Sequence, residues 1–204
     1  MRNKGLLLRF GIVIGVVLAV GAAIVLYPVM VANSVLSDVR EVGKQPRSEA
    51  WLRQWAERHR GNIRCDHSGC VAEVTVSNWL LSRLRLARPA LFAATVALND
   101  GALTHVRLTL TDLNYQARYK GATTSTVVDY AEARNATAEP TPPKLVQEPK
   151  GKPPTVAYFV SRGAEPRSLA LAYKINVWCL ARIGGCLDSQ QAPEIWALRD
   201  SNRF

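Results

Sequence analysis

Between Phe10 and Ala32 the chain reads FGIVIGVVLAVGAAIVLYPVMVA without one charged residue, and Arg2, Lys4 and Arg9 stand directly in front of it. An α-helix rises about 1.5 Å per residue, so roughly 20 apolar residues cross the hydrocarbon core of a bilayer. The stretch therefore predicts a transmembrane anchor over residues 10–32, behind a short cytoplasmic N-terminus at residues 1–9. A cleaved signal peptide is the competing reading, with Gly21-Ala22-Ala23 as the small-residue cleavage site. Signal cores run about 7–15 residues, whereas Ile24 to Ala32 stays apolar past that site, so the uncleaved anchor is preferred. Secretion with cleavage would still leave the remainder of the chain outside the cell.

Charge and cysteines set the orientation. The net charge of +10 is uneven, since ten Lys/Arg against five Asp/Glu fall between Arg40 and Arg88. The membrane-proximal half is thus the basic half, with Arg53, Arg60, Arg83, Arg85 and Arg88 as a candidate basic surface. Such a surface attracts anionic lipid, polyanionic envelope polymers or nucleic acid by the same electrostatics, or it simply solvates helix faces. Arg2, Lys4 and Arg9 crowd the front edge of the span, while Arg40, Lys44 and Arg47 begin well beyond its other end, which favours a cytoplasmic N-terminus. The four cysteines all lie after the span, and the local pairs Cys65/Cys70 and Cys179/Cys186 predict two disulfides in an oxidising, extracytoplasmic compartment. In a Gram-negative cell that compartment is the periplasm.

Within the span, Gly11, Gly15, Ala19 and Ala23 recur every four residues and form a small-residue ridge, the kind along which membrane helices pack, so a homo-oligomer through this helix is one expectation. Val35, Leu36, Val39 and Val42 keep a helical spacing, and Ser48 reads as the N-cap of a second helix ending near Gly61. Residues 33–60 are thereby expected as a helical membrane-proximal stalk. Trp51, Leu52, Trp55 and His59 share one face of the second helix and suit packing on the domain's own sheet, with a partner surface or a lipid-interface belt as alternatives.

The domain is expected over residues 61–204. Asn62 to Val76 reads as a hairpin whose turn is bracketed by Cys65 and Cys70, and a short helix comes next over Trp79–Leu86, capped by Ser77 or Asn78. From Phe92 the apolar period changes to two, and Asp100-Gly101 supplies a type I′ turn between two long strands, with His105 on the polar face. Further strands are expected around Tyr115–Lys120, Ser125–Arg134, Thr155–Ser161 and Ser168–Trp178, the last placing Leu169, Leu171, Tyr173, Ile175 and Val177 on one face. Six of the eleven prolines fall in residues 139–154, which predicts an extended loop between strands or a docking arm. Asn135-Ala-Thr137 beside it matches a glycosylation sequon. Gly184-Gly185 permits a tight return for the second disulfide, and a helix from Pro193 presents Ile195, Trp196 and Leu198.

Catalytic signals are absent. No G-x-S-x-G, H-E-x-x-H, phosphate-cradling glycine loop or paired-carboxylate pattern is present, and the histidines number three. Cys65, His67 and Cys70 make a sharper metal hypothesis, but zinc sites space paired ligands more tightly and add a second pair, so the disulfide is preferred. Asp66, His67 and Ser68 carry the letters of a hydrolytic triad, yet consecutive turn residues cannot orient one another as a triad requires. No cofactor, metal or catalytic residue is expected.

Lys4-Gly5 followed by LLLRFGIVIGVVLAVGAAIVLYP resembles the start of type IV pilins and pseudopilins. The resemblance implies a basic leader ending in glycine, a helix spine, and an antiparallel sheet closed by a C-terminal disulfide loop. It covers about a tenth of the chain and departs at Phe10, where the family usually has glutamate.

The expectation is an α+β chain: one N-terminal transmembrane helix, an antiparallel-sheet domain with a few helices, and two local disulfides. Its expected role is that of a non-enzymatic, membrane-anchored cell-envelope protein that binds or positions a partner. A pilin-like subunit of a pilus or secretion system, and an envelope enzyme in which His59, His67 and His105 converge, are the alternatives.

Overall fold

The computed structural model describes residues 3–42, 48–112, 123–130, 143–147, 155–186 and 191–200. Its first element, α1 (Asn3–Val42), is one continuous helix of 40 residues. Pro28 lies inside it, where the missing N–H leaves the Ile24 carbonyl without an intrahelical donor. Two environments divide this helix. Ile12, Val13, Ile14, Val16, Val17, Leu18 and Val20 are each more than half exposed, whereas Val29, Ala32, Val35, Val39 and Val42 are at most 1% exposed. Steps of three and four residues put that second set on one stripe, and the stripe faces the body.

Burial along the chain begins at Pro28–Val29, inside residues 10–32, and within residues 33–60 Val35, Leu36, Val39, Val42, Leu52, Trp55 and Ala56 are buried. Hydropathy misses this because the bilayer-length apolar run and the core-facing stripe adjoin without a break.

Among the described residues the sheet has seven strands: β1 (Asn62–Cys65), β2 (Gly69–Ser77), β3 (Ala90–Asn99), β4 (Ala102–Asp112), β5 (Thr123–Asp129), β6 (Lys144–Gln147) and β7 (Thr155–Ser161). Their order is β1-β2-β3-β4-β5-β7-β6, antiparallel except for the parallel pair β5–β7. The register Val74–Ala94–Leu108–Thr126–Tyr158 carries one row across five strands, and all five are buried. Alternate residues such as Val71, Glu73, Thr75 and Arg107 point to the other face. Asp100 and Gly101 take φ of 50° and 72°, the left-handed pair that a type I′ hairpin needs.

The helices lie on the buried face. Ser48 caps α2 (Glu49–Arg58) by accepting from the Trp51 amide at 3.3 Å, and α2 buries Leu52, Trp55 and Ala56 against the body. α3 (Trp79–Arg83) comes after β2 but stops short of the expected Leu86, because Arg85 enters the left-handed region at φ 58°. Asn78 does not cap it with its side chain. Instead its Oδ1 accepts from the Ala90 amide at 2.7 Å and its Nδ2 donates to the Arg88 carbonyl at 2.8 Å.

Residues 168–178 are not a strand. They form α4 (Pro166–Ala172), followed by a 3-10 helix (Val177–Ala181). The Leu-Ala alternation fits both periods, but Ala and Leu are strong helix formers and Pro166 sits in the first turn. Both edges of β7 are already taken, by β5 and β6. β6 itself corrects the expectation for residues 139–154: the proline-free KLVQ pairs with β7 as an edge strand, the position where flanking prolines are tolerated. β5 covers Ser125–Asp129 of the Ser125–Arg134 expectation, and residues 131–134, Tyr115–Lys120 and the sequon lie outside the described residues. Finally α5 (Pro193–Asp200) buries Ile195 and Trp196. Both disulfides are formed as paired in the sequence, with Cα separations of 4.0 Å for Cys65–Cys70 and 4.8 Å for Cys179–Cys186.

The division of α1 has a measurable consequence. Val39→Ala should lower stability against denaturant by about 1–3 kcal/mol, a lost buried side chain plus its cavity. Val17→Ala should leave it within about 0.5 kcal/mol in the same detergent. Equilibrium unfolding followed by tryptophan emission measures both.

Candidate membrane anchor and surface sites

Ten described residues, from Gly11 to Val20, are exposed without interruption, and the helix is long and apolar enough to cross a membrane. Gly11, Gly15, Ala19 and Ala23 are all exposed, and a Cβ added at Gly11 or Gly15 would meet nothing within 4 Å. Ala19 and Ala23 each lie two residues from half-buried Gly21, about 200° around the helix, so this end of the ridge faces away from the body.

Where α2 returns to α1, His59 Nε2 donates to Asp38 Oδ2 at 2.8 Å and Arg58 approaches the same oxygen at 3.4 Å. Tyr27, Met30, Val31, Ser34 and the Arg58–Arg60 turn line a cleft of about 300 Å³ there. Gly61 closes the turn because a Cβ would sit 2.6 Å from the Glu73 carbonyl oxygen. No sequence pattern links Asp38 to His59, 21 residues apart; the helical return alone joins them.

The five candidate arginines are dispersed. Arg53 pairs with Glu49 on α2, its Nε 3.0 Å from the carboxylate, and Arg60 lies at the cleft. Arg88 reaches the buried Asp112 at 3.4 Å. Arg83 and Arg85 stand exposed together on the segment joining β2 to β3.

At the β1–β2 turn, Asp66 Oδ1 accepts from Ser68 Oγ at 2.6 Å, the Ser68 amide at 2.9 Å and the Gly69 amide at 3.1 Å. The Ser68 hydroxyl bond, then the two amides, hold the Asp66 carboxyl below its usual range. Asp66 and Ser68 therefore build the turn, and the hydroxyl is committed to the carboxylate. Glu49, Cys65 and Cys70 bring possible ligand atoms together, but the two sulfurs are bonded to each other.

The three histidines do not converge. His59 is wedged between α1 and α2, His67 lies in the β1–β2 turn, and His105 lies on the sheet face turned away from the helices. Buried polar groups missed by sequence reading serve packing: Trp196 Nε1 donates to Thr124 Oγ1 and Thr124 Oγ1 donates to Gln191 Oε1, each at 2.7 Å. The Tyr130 and Tyr173 hydroxyls meet at 3.1 Å, and burial pushes both phenols above their ordinary range.

Comparison with protein-family models, curated proteins and solved structures finds no match to this chain.

His105 gives a pH dependence. Burial, reinforced by Arg107, lowers its pKa, and Asp129 opposite it only partly offsets them. The folded state thus prefers neutral imidazole, and this contribution is intact above the ordinary value of about 6.5 and is lost as pH falls through the lower folded value. Denaturation midpoints should drop between about pH 7.5 and 5, and His105→Gln should remove part of that slope.

Proposed function

We propose that this chain is a single-pass membrane protein whose domain stands outside the cytoplasm, periplasmic in a Gram-negative cell, and binds or positions a protein partner in the envelope without catalysis. One observation carries the reading: a single helix is bare over Gly11–Val20 and is core of the domain over Val29–Val42. Water is a poor solvent for the first part, and a bilayer covers it at no backbone cost because a helix satisfies its own hydrogen bonds. The two disulfides, Cys65–Cys70 and Cys179–Cys186, support an oxidising compartment. The scattered histidines and turn-committed Asp66 and Ser68 favour binding over catalysis. Along the outward ridge of Gly11, Gly15, Ala19 and Ala23, a second copy of the helix can approach closely.

A pilin-like subunit is the second reading, favoured by one feature beyond the N-terminal resemblance. The anchor helix continues unbroken as the spine on which an antiparallel sheet packs, and a disulfide loop closes the C-terminal part.

One experiment separates the readings: alkaline carbonate extraction of membranes, then intact-mass measurement of the protein. Retention in the pellet with Met1 or Arg2 at the N-terminus is the expected result. Retention with cleavage after Gly5 moves the assignment to the pilin-like subunit. Release with cleavage near Ala23 contradicts the anchor.

A further inference from the structure

Four apolar side chains are held in solvent at one end of the domain, and it is the end from which α1 leaves. Contacts along α1 fix its direction. Arg40 donates to the Tyr173 carbonyl at 2.9 Å, and Tyr173 meets Tyr130, which sits just past the end of β5. That end of β5 pairs with His105, near the Asp100-Gly101 turn. About two to four turns earlier, Tyr27–Ser34 lines the cleft with Arg60, and the adjoining Gly61 packs on Glu73 and Val74 in the middle of β2. Continuing toward Gly11, the helix passes the opposite end of the sheet, where β2 finishes at Ser77 and β3 begins at Ala90.

The segment joining those strands, residues 78–89, hangs at this end, and its α3 touches α1. Asn78 clamps its two ends together, and Leu81 is buried beneath it. The Gly184 amide donates to the Leu86 carbonyl at 3.0 Å, which brings the tip of the Cys179–Cys186 loop alongside. On this clamped platform Trp79, Leu84, Leu86 and Ile183 are 56%, 57%, 47% and 73% exposed, and Arg83 and Arg85 alternate with the leucines.

We propose that this platform is a membrane-contacting foot: Trp79, Leu84, Leu86 and Ile183 enter the interfacial layer of the bilayer, and Arg83 and Arg85 meet anionic lipid phosphates. Tryptophan favours that layer, apolar side chains gain by leaving water there, and arginine reaches headgroups from a partly apolar position. The bare helix emerging beside the platform identifies lipid as the occupant, because it brings the bilayer surface to these side chains. The proposal rests on the anchor reading of α1.

Its test keeps the two apart. All four cysteines are paired, so Leu84→Cys, Ile183→Cys, Val17→Cys and Asp100→Cys each provide one nitroxide site in the full chain. These exposed positions leave the core intact, and unfolding curves verify it. In vesicles of phosphatidylcholine and phosphatidylglycerol, collision with oxygen relative to a water-soluble nickel chelate reports depth. Leu84 and Ile183 should show a ratio several-fold above Asp100 in the hairpin turn and below Val17. Adding Arg83→Glu and Arg85→Glu should lower the Leu84 ratio. If Leu84 and Ile183 match Asp100 while Val17 is deep, the foot is wrong and the anchor stands. Shielding of Leu84 and Ile183 from both reagents means protein contact and also overturns the foot. If Val17 matches Asp100, the anchor reading fails with it.

Discussion

The burial of Val29, Ala32, Val35, Val39 and Val42 against the sheet is the interaction on which the architecture depends. Each fully buried valine is worth about 1.5–3 kcal/mol relative to exposure. Four of them match a large share of the roughly 5–15 kcal/mol that holds an ordinary domain together. Removing α1 from the sheet would therefore cost the domain its fold, so the part of α1 that follows Pro28 stays docked. Pro28 lies at the junction and is itself buried, which places any local bend where packing determines its angle.

That coupling gives the surface a direction. If the bare half lies in lipid, the Asp100-Gly101 turn faces outward and the 78–89 segment faces the membrane. The sheet face opposite the helices carries Val71, Thr75, Thr95, Arg107, Thr109 and Phe159. The α2 return, fixed by Asp38 and His59, braces α1 from one side, while Arg40 and the Tyr173 carbonyl brace it from the other.

Much of this was legible in the sequence. The Asp100-Gly101 hairpin, the Ser48 cap and the two cysteine pairs were readable because each is a local device whose geometry is set by a few neighbours. The limit between the bare part of α1 and its core-facing part was not, because valine suits lipid and core equally and only tertiary contact distinguishes them. Leu169–Val177 misled because its alternation satisfies two periods, and the edges already occupied on β7 exclude the strand. β6 was hidden by the prolines around it. The candidate arginines were identified by charge alone, which does not show that Arg53 pairs with Glu49 and Arg88 with Asp112. The exposed apolar set at Trp79, Leu84, Leu86 and Ile183 left one trace, the Arg-Leu-Arg-Leu alternation of residues 83–86, which as sequence reads as the end of a short helix.

Hydrogen–deuterium exchange of the full chain in lipid nanodiscs tests the central claim most directly. One rigid helix shared by bilayer and domain predicts slow exchange running without a gap from Val13 to Val42, Pro28 having no amide to exchange. A fast-exchanging break between Leu26 and Asn33 would mean that anchor and domain are joined by a hinge, and the account of a domain locked in place by its own core helix would be contradicted.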